Sequence, residues 1–156
     1  MNKENNYLLP NKFKWLSLGL IISGFIFGVI RFYYGIKLEV FDITVFAIYS
    51  SFFETKYLTF IQNNFGEEIS GLLLLLGIFL LVVSKEKNEF PEIMKLRLRA
   101  FFLSLYTNTI LLILSFLFVF GFGFINVMIA SMYSIMIIYY IIFNYYLFKY
   151  NRSTEQ

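Results

Sequence analysis

Residues 69–84 read ISGLLLLLGIFLLVVS, residues 85–99 read KEKNEFPEIMKLRLR, and residues 100–120 read AFFLSLYTNTILLILSFLFVF. All the charge of this stretch lies in its middle segment, between two uncharged apolar runs. Such runs carry no charged face to turn to water, so they read as helices solvated by lipid. The chain crosses a membrane, makes a charged connection at one face, and crosses back.

The first of these runs has sixteen residues, short of the ~20 a span usually needs. Its helix therefore extends backward through Glu67 and Glu68, to about residues 67–84. Asn64-Phe65-Gly66-Glu67 has the spacing of a capping box, in which Asn accepts from a free backbone amide and Glu reaches back. Both carboxylates also complement the positive end of the helix dipole. Pro91 suits a first helical position, where its missing N–H has no partner to lose. The next helix then covers about residues 92–121, with Lys95 and Arg99 on one face at i, i+4, and it leaves the cytoplasmic surface before entering lipid.

Working outward, Trp15 opens an apolar run to about Tyr34, preceded by Lys3, Lys12 and Lys14. A cleaved signal peptide starts in the same way. This run ends instead in Arg31-Phe32-Tyr33-Tyr34 without a small-x-small cleavage pattern, so it reads as a retained helix with an aromatic belt. A last helix covers about residues 124–148, with Asn144, Tyr145 and Tyr146 as its interfacial belt. Gly121-Phe122-Gly123 is short and uncharged, so the last two helices form a tight antiparallel pair. Leu38–Tyr49 (LEVFDITVFAIY) is β-branched and aromatic with a partial period of two, and Lys56–Gln62 (KYLTFIQ) supplies a second strand after a turn near Ser50–Thr55. The competing reading is a short interfacial helix at Ile43–Phe53. A two-stranded hairpin is marginal in water, so it must pack on helix ends, headgroups or a partner. The expected fold is thus an all-α membrane protein of one multi-pass domain, residues 1–156. It has four transmembrane helices (about 15–34, 67–84, 92–121 and 124–148), an extracytoplasmic β-rich loop (35–64, hairpin about 38–62) and a cytoplasmic basic loop (85–99).

Composition agrees. The 156 residues are 59% hydrophobic and 15% charged, with 21 Phe and 12 Tyr, whereas a soluble domain is about a quarter charged. The net charge of +3 offers no basic face for nucleic acid. With neither Cys nor His, disulfides, thiolate nucleophiles, imidazole bases and the usual zinc sites are excluded. Carboxylate chemistry alone survives, and no cofactor is expected. Placing both termini and the 85–99 loop in the cytoplasm puts ten of the thirteen Lys and Arg there, leaving Arg31, Lys37 and Lys56 outside, as the positive-inside rule requires. That topology expects a cell inner (plasma) membrane.

Several residues stand out within this frame. Gly24 and Gly28 form a GxxxG pair that admits close helix approach; it serves intramolecular packing or a homodimer contact. Ser104, Thr107, Asn108 and Ser115 form a broken polar stripe, which is either interhelical bonding or the lining of a substrate path. Ala130 and Ser134 have small-xxx-small spacing, and Ser131 with Met128, Met132 and Met136 suits packing. Arg31 adjoins a span with no acidic partner expected at its depth, so it snorkels to the interface. Glu39, Asp42, Glu54, Glu67 and Glu68 make an outer acidic set; convergence would permit acid–base chemistry or a hard cation, although the adjacent Glu67 and Glu68 read better as a cap. Lys95, Arg97 and Arg99 are candidates to touch a partner or anionic headgroups, or simply to fix topology.

The run Glu67–Phe90 (EEISGLLLLLGIFLLVVSKEKNEF), with Lys95–Asn108 (KLRLRAFFLSLYTN) and Asn126–Ile129, resembles a group of small bacterial four-helix inner-membrane proteins of unknown function. The shared features are an acidic helix start, a Leu-rich span, a Ser-Lys-Glu-Lys exit and a basic start to the next span. The resemblance implies topology, and no activity or site residue. The leading functional expectation is a non-enzymatic accessory or regulatory subunit of a membrane complex, in contact with the lipid bilayer and with another membrane protein or itself. A small oligomeric transporter or pore is the alternative, and a lipid-modifying enzyme using outer carboxylates is the third.

Overall fold

The computed structural model describes residues 7–51, 55–87, 89 and 91–154. Lys3, Glu54, Asn88 and Phe90 lie outside the described residues. The elements are α1 (Phe13–Gly28), continued by a π-helical turn (Val29–Tyr33), then β1 (Asp42–Ser51), β2 (Thr55–Asn64), α2 (Gly66–Val83), α3 (Pro91–Phe118) and α4 (Phe122–Thr154). Four helices among the described residues are long and apolar enough to cross a membrane, and only 6–17% of each apolar window is buried by protein. Phe25, Phe79, Phe102, Ile113 and Phe118 all face outward. Apolar surface on this scale aggregates in water, so lipid is its natural cover. The chain is a multi-pass membrane protein.

Two compact units divide the chain, Leu18–Gly77 and the remainder, Met1–Ser17 with Ile78–Gln156. In the Leu18–Gly77 unit, α1 and α2 meet at small residues. Ser70 Oγ donates to the Gly24 carbonyl at 3.1 Å, and a Cβ on Gly24 would lie 2.9 Å from the backbone N of Leu74. The next contact along this antiparallel pairing is Arg31 Nη2 to Glu67 Oε1 at 2.5 Å. This corrects the expectation that Arg31 lacks an acidic partner and only snorkels. It also corrects the capping box: Asn64 Oδ1 does accept from the Gly66 amide, at 3.3 Å, but Glu67 turns to Arg31 instead of reaching back. An arginine one helical turn beyond the close approach of two helices outcompetes a neutral amide for the carboxylate, since charge-assisted bonds are the stronger.

The β-rich segment is an antiparallel hairpin registered from Asp42↔Asn64 to Ser51↔Thr55. The strand covers Asp42–Ser51 without a break, so the interfacial helix is set aside. It begins later than expected, because Glu39–Phe41 form a 3-10 turn. Phe41 anchors the hairpin base: its ring meets Phe27 edge-on at 5.7 Å, and its carbonyl accepts from Phe65 N at 2.8 Å. Cross-strand rings pair Phe46 with Phe60 at 5.3 Å and Tyr49 with Tyr57 at 5.4 Å, the contacts that stabilise a sheet face.

In the other unit, α3 and α4 pack as an antiparallel pair. α3 stops at Phe118, three residues short of expectation, because Gly121 at φ +66° turns the chain, a left-handed conformation that favours glycine. α4 outruns its expected end at residue 148 and reaches Thr154. The buried face of α3 is Ile93, Arg97, Ala100, Ser104 and Asn108, a run at i, i+4, i+7, i+11, i+15 that follows one side of a helix. Ala100 and Ser104 are fully buried, against a core completed by Tyr139 and Phe143 of α4. The segment before α1 is stitched to the end of α2: Leu9 N donates to Val83 O at 3.0 Å, Lys85 N to Leu9 O at 2.8 Å, and Asn11 Nδ2 to Lys85 O at 2.8 Å. Lys14 and Glu86 add an ion pair at 2.6 Å.

Candidate functional site

The chemistry-bearing side chains concentrate where α2 ends and α3 begins. A helix ends with four carbonyls that lack intrahelical partners and carry partial negative charge. At the end of α2, beside Leu9 N on Val83 O and Ser84 Oγ on Leu80 O, Arg97 supplies part of this need from α3. Its Nη1 donates to Val82 O at 3.3 Å and its Nη2 to Ser84 O at 3.0 Å. The same guanidinium holds the Glu89 carboxylate through Nε at 3.1 Å and Nη2 at 3.4 Å, and its carbon lies 4.5 Å from the centre of the Phe143 ring. Glu89 in turn accepts from the Glu86 amide at 2.7 Å. Arg97 is 5% exposed. One side chain thus joins α2, the α2–α3 connection, α3 and α4.

This placement separates the three basic residues that the sequence grouped. Arg97 is buried and makes four hydrogen bonds within the chain, whereas Lys95 and Arg99 are exposed. Glu89, Tyr139 and Phe143 did not stand out in the sequence reading. The signal was present: Arg97 is seven residues before Ser104, hence on the face that carries Ser104 and Asn108, and an arginine on a buried face needs a carboxylate and an aromatic floor.

Beside Arg97 lies an open cleft of about 600 Å³ whose walls are almost entirely apolar, with Lys95 among the lining residues. Deeper in α3, Ser134 Oγ donates to Asn108 Oδ1, and Ser104 Oγ returns to Phe101 O at 2.7 Å. Ser115 bonds to Leu111 O at 2.8 Å and does not join them. Ala130 is exposed although Ser134 is partly buried. Gly24 and Gly28 lie against α2, at Leu73–Leu74 and at Ser70 respectively.

The described members of the acidic set do not converge. Asp42 accepts from Asn64 Nδ2 at 2.6 Å, Glu68 from Asn63 Nδ2 at 3.2 Å, and Glu67 pairs with Arg31. Glu39 sits in the 3-10 turn, and Glu54 is outside the described residues. Among the described residues no three acidic side chains gather as a metal site would require.

Comparison of the chain with protein-family models, with curated proteins and with solved structures finds no match in any of the three.

Proposed function

We propose that this chain is a non-enzymatic accessory or regulatory subunit of a membrane complex, docked through the β1–β2 hairpin. The observation that carries the reading is the hairpin's uncovered surface. Phe46, Ile48, Tyr49, Tyr57 and Phe60 are 54–72% exposed, and the sheet has two strands, so the outer edge of each is unpaired. A two-stranded sheet is marginal alone, and open apolar edges invite another chain. A docked partner resolves both problems at once.

The reading places the protein in a bacterial inner membrane with both termini cytoplasmic and the hairpin outside, on the ten-to-three distribution of basic residues. Having no cysteine, the chain takes single labels cleanly. In intact cells an impermeant maleimide is expected to modify Tyr57→Cys, and to modify Ser153→Cys only after lysis. The reverse pattern would invert the topology.

The subunit role is tested by purifying the tagged full chain in mild detergent, with and without Ile48→Glu and Phe60→Glu. Both positions are about 70% exposed, so neither charge is buried within the fold, although Phe60→Glu gives up the ring contact with Phe46. The expected result is a stoichiometric foreign subunit that is lost from the double variant while helical circular dichroism is unchanged. Retention of that subunit overturns the hairpin as docking surface. A homo-oligomer free of foreign subunits overturns the subunit role and favours a small oligomeric transporter or pore.

A further inference from the structure

We infer that the cleft between α2, α3 and α4 is a binding site for one anionic phospholipid, with an acyl chain in the cleft and the phosphate on Lys95. Its volume of about 600 Å³ falls within the ~300–1,000 Å³ of small-molecule sites. Val83, Leu98, Phe101, Ile135 and Met136 supply the walls, leaving little that a polar ligand could bond.

The position of the cleft along the helices selects a lipid. Counting down α4 from Phe122 to Phe143 at 1.5 Å per residue spans about 30 Å, the thickness of the hydrocarbon layer. Arg97, seated on Phe143, therefore marks the hydrocarbon edge. The α3 lining runs from Met94 to Ser104, about 15 Å of helix, of which the ~10 Å below Arg97 lies among the chains of one leaflet. The cleft opens at the level of headgroups and descends through the layer of chains beneath them.

Charge selects the headgroup. Lys95 is exposed at the polar end of the cleft, and among the described residues no carboxylate pairs with it. Arg97, by contrast, is neutralised by Glu89. Arg99 lies one turn further along α3 and is also exposed. An uncompensated lysine beside an apolar slot at the membrane surface matches a phosphate joined to an acyl chain. This inference is independent of the hairpin's docking role.

The test is native mass spectrometry of the full chain released from detergent micelles, titrated with phosphatidylglycerol and, separately, with phosphatidylcholine. The expected result is one saturable phosphatidylglycerol per chain, bound in preference to phosphatidylcholine. Lys95→Gln is expected to lower phosphatidylglycerol affinity about fivefold, the weight of one lysine near an anionic surface, and to abolish the preference. Met136→Trp, which fills the cleft, is expected to reduce binding of both lipids, with circular dichroism confirming its fold. Lys37→Gln, on the other unit, should change nothing. Equal affinity for the two lipids, non-saturating uptake, or unaltered binding in Lys95→Gln would each overturn the assignment.

Discussion

Glu89→Gln is expected to destabilise the chain by about 3–5 kcal/mol, the cost of leaving a buried charge without its counter-ion. The substitution keeps the side chain's shape and removes only its charge. Arg97 is then left cationic with 6% of its side chain exposed. Arg97→Met is expected to cost a similar amount for the opposite reason, since it strands the Glu89 carboxylate and frees the carbonyls of Val82 and Ser84. Arg97→Met combined with Glu89→Gln should lose less than the sum of the two single losses, because the double variant buries no charge. That shortfall is the coupling energy a double-mutant cycle reads. Two comparisons calibrate it. Lys14→Ala, at a pair whose side chains keep 20% and 17% exposure, is expected to lose less, and Lys95→Gln close to nothing. Thermal unfolding in detergent measures all five variants. A Glu89→Gln loss within the ~1 kcal/mol of an exposed pair would show that water reaches Arg97, and the junction would not depend on it.

The junction also shows where sequence reading succeeds and where it stops. The four helices were legible because hydropathy acts locally: a run such as Ile69–Ser84 has one stable solvent whatever its neighbours do. The hairpin was legible as the favoured reading from a partial period of two through Leu38–Tyr49, and the strand at Asp42–Ser51 decides it against the interfacial helix. Arg97 was grouped with Lys95 and Arg99 because all three are basic and lie close in sequence. Their fates depend on the angle at which each leaves the helix. Residues 95 and 99 share one exposed face, and 97 points to the opposite side, the face it shares with Ala100, Ser104 and Asn108. Extending the polar stripe two turns toward the start of α3, from Ser104 past Ala100, would have found it.

Glu89 was harder to foresee. It lies in the connection before α3, where no periodicity aims a side chain, and Pro91 separates it from the helix it serves. The Arg31–Glu67 pair was hidden for a related reason. It requires knowing that α1 and α2 run antiparallel with Gly24 opposite Leu73–Leu74 and Gly28 opposite Ser70. With that register fixed, the next turn of α1 brings Arg31 to Glu67. The register belongs to tertiary packing, and neither helix carries it alone.

Gly24 sets that register, and Gly24→Ile is expected to be the most disruptive single change in the Leu18–Gly77 unit. Even an alanine Cβ would stand 2.9 Å from the backbone N of Leu74 and 3.0 Å from Leu73 Cβ. A backbone atom cannot rotate away as a side-chain tip can, so the helices must separate. Overpacking of this kind costs about 1–3 kcal/mol, which is the loss expected for Gly24→Ala, and isoleucine exceeds it. Separation would also break the Ser70-to-Gly24 bond and draw Glu67 from Arg31. Gly28→Ala meets only the Ser70 hydroxyl at 3.1 Å, so its cost should be smaller. Gly19 is the internal control, because a Cβ there meets nothing within 4 Å. Gly19→Ala should be neutral or gain up to ~1 kcal/mol of helix propensity. Unfolding temperature and particle mass, measured together, separate the two uses of the GxxxG pair. A lower unfolding temperature at unchanged mass assigns Gly24 to packing of α1 on α2. A fall in mass with unchanged unfolding temperature would assign it to a contact between copies and overturn the prediction.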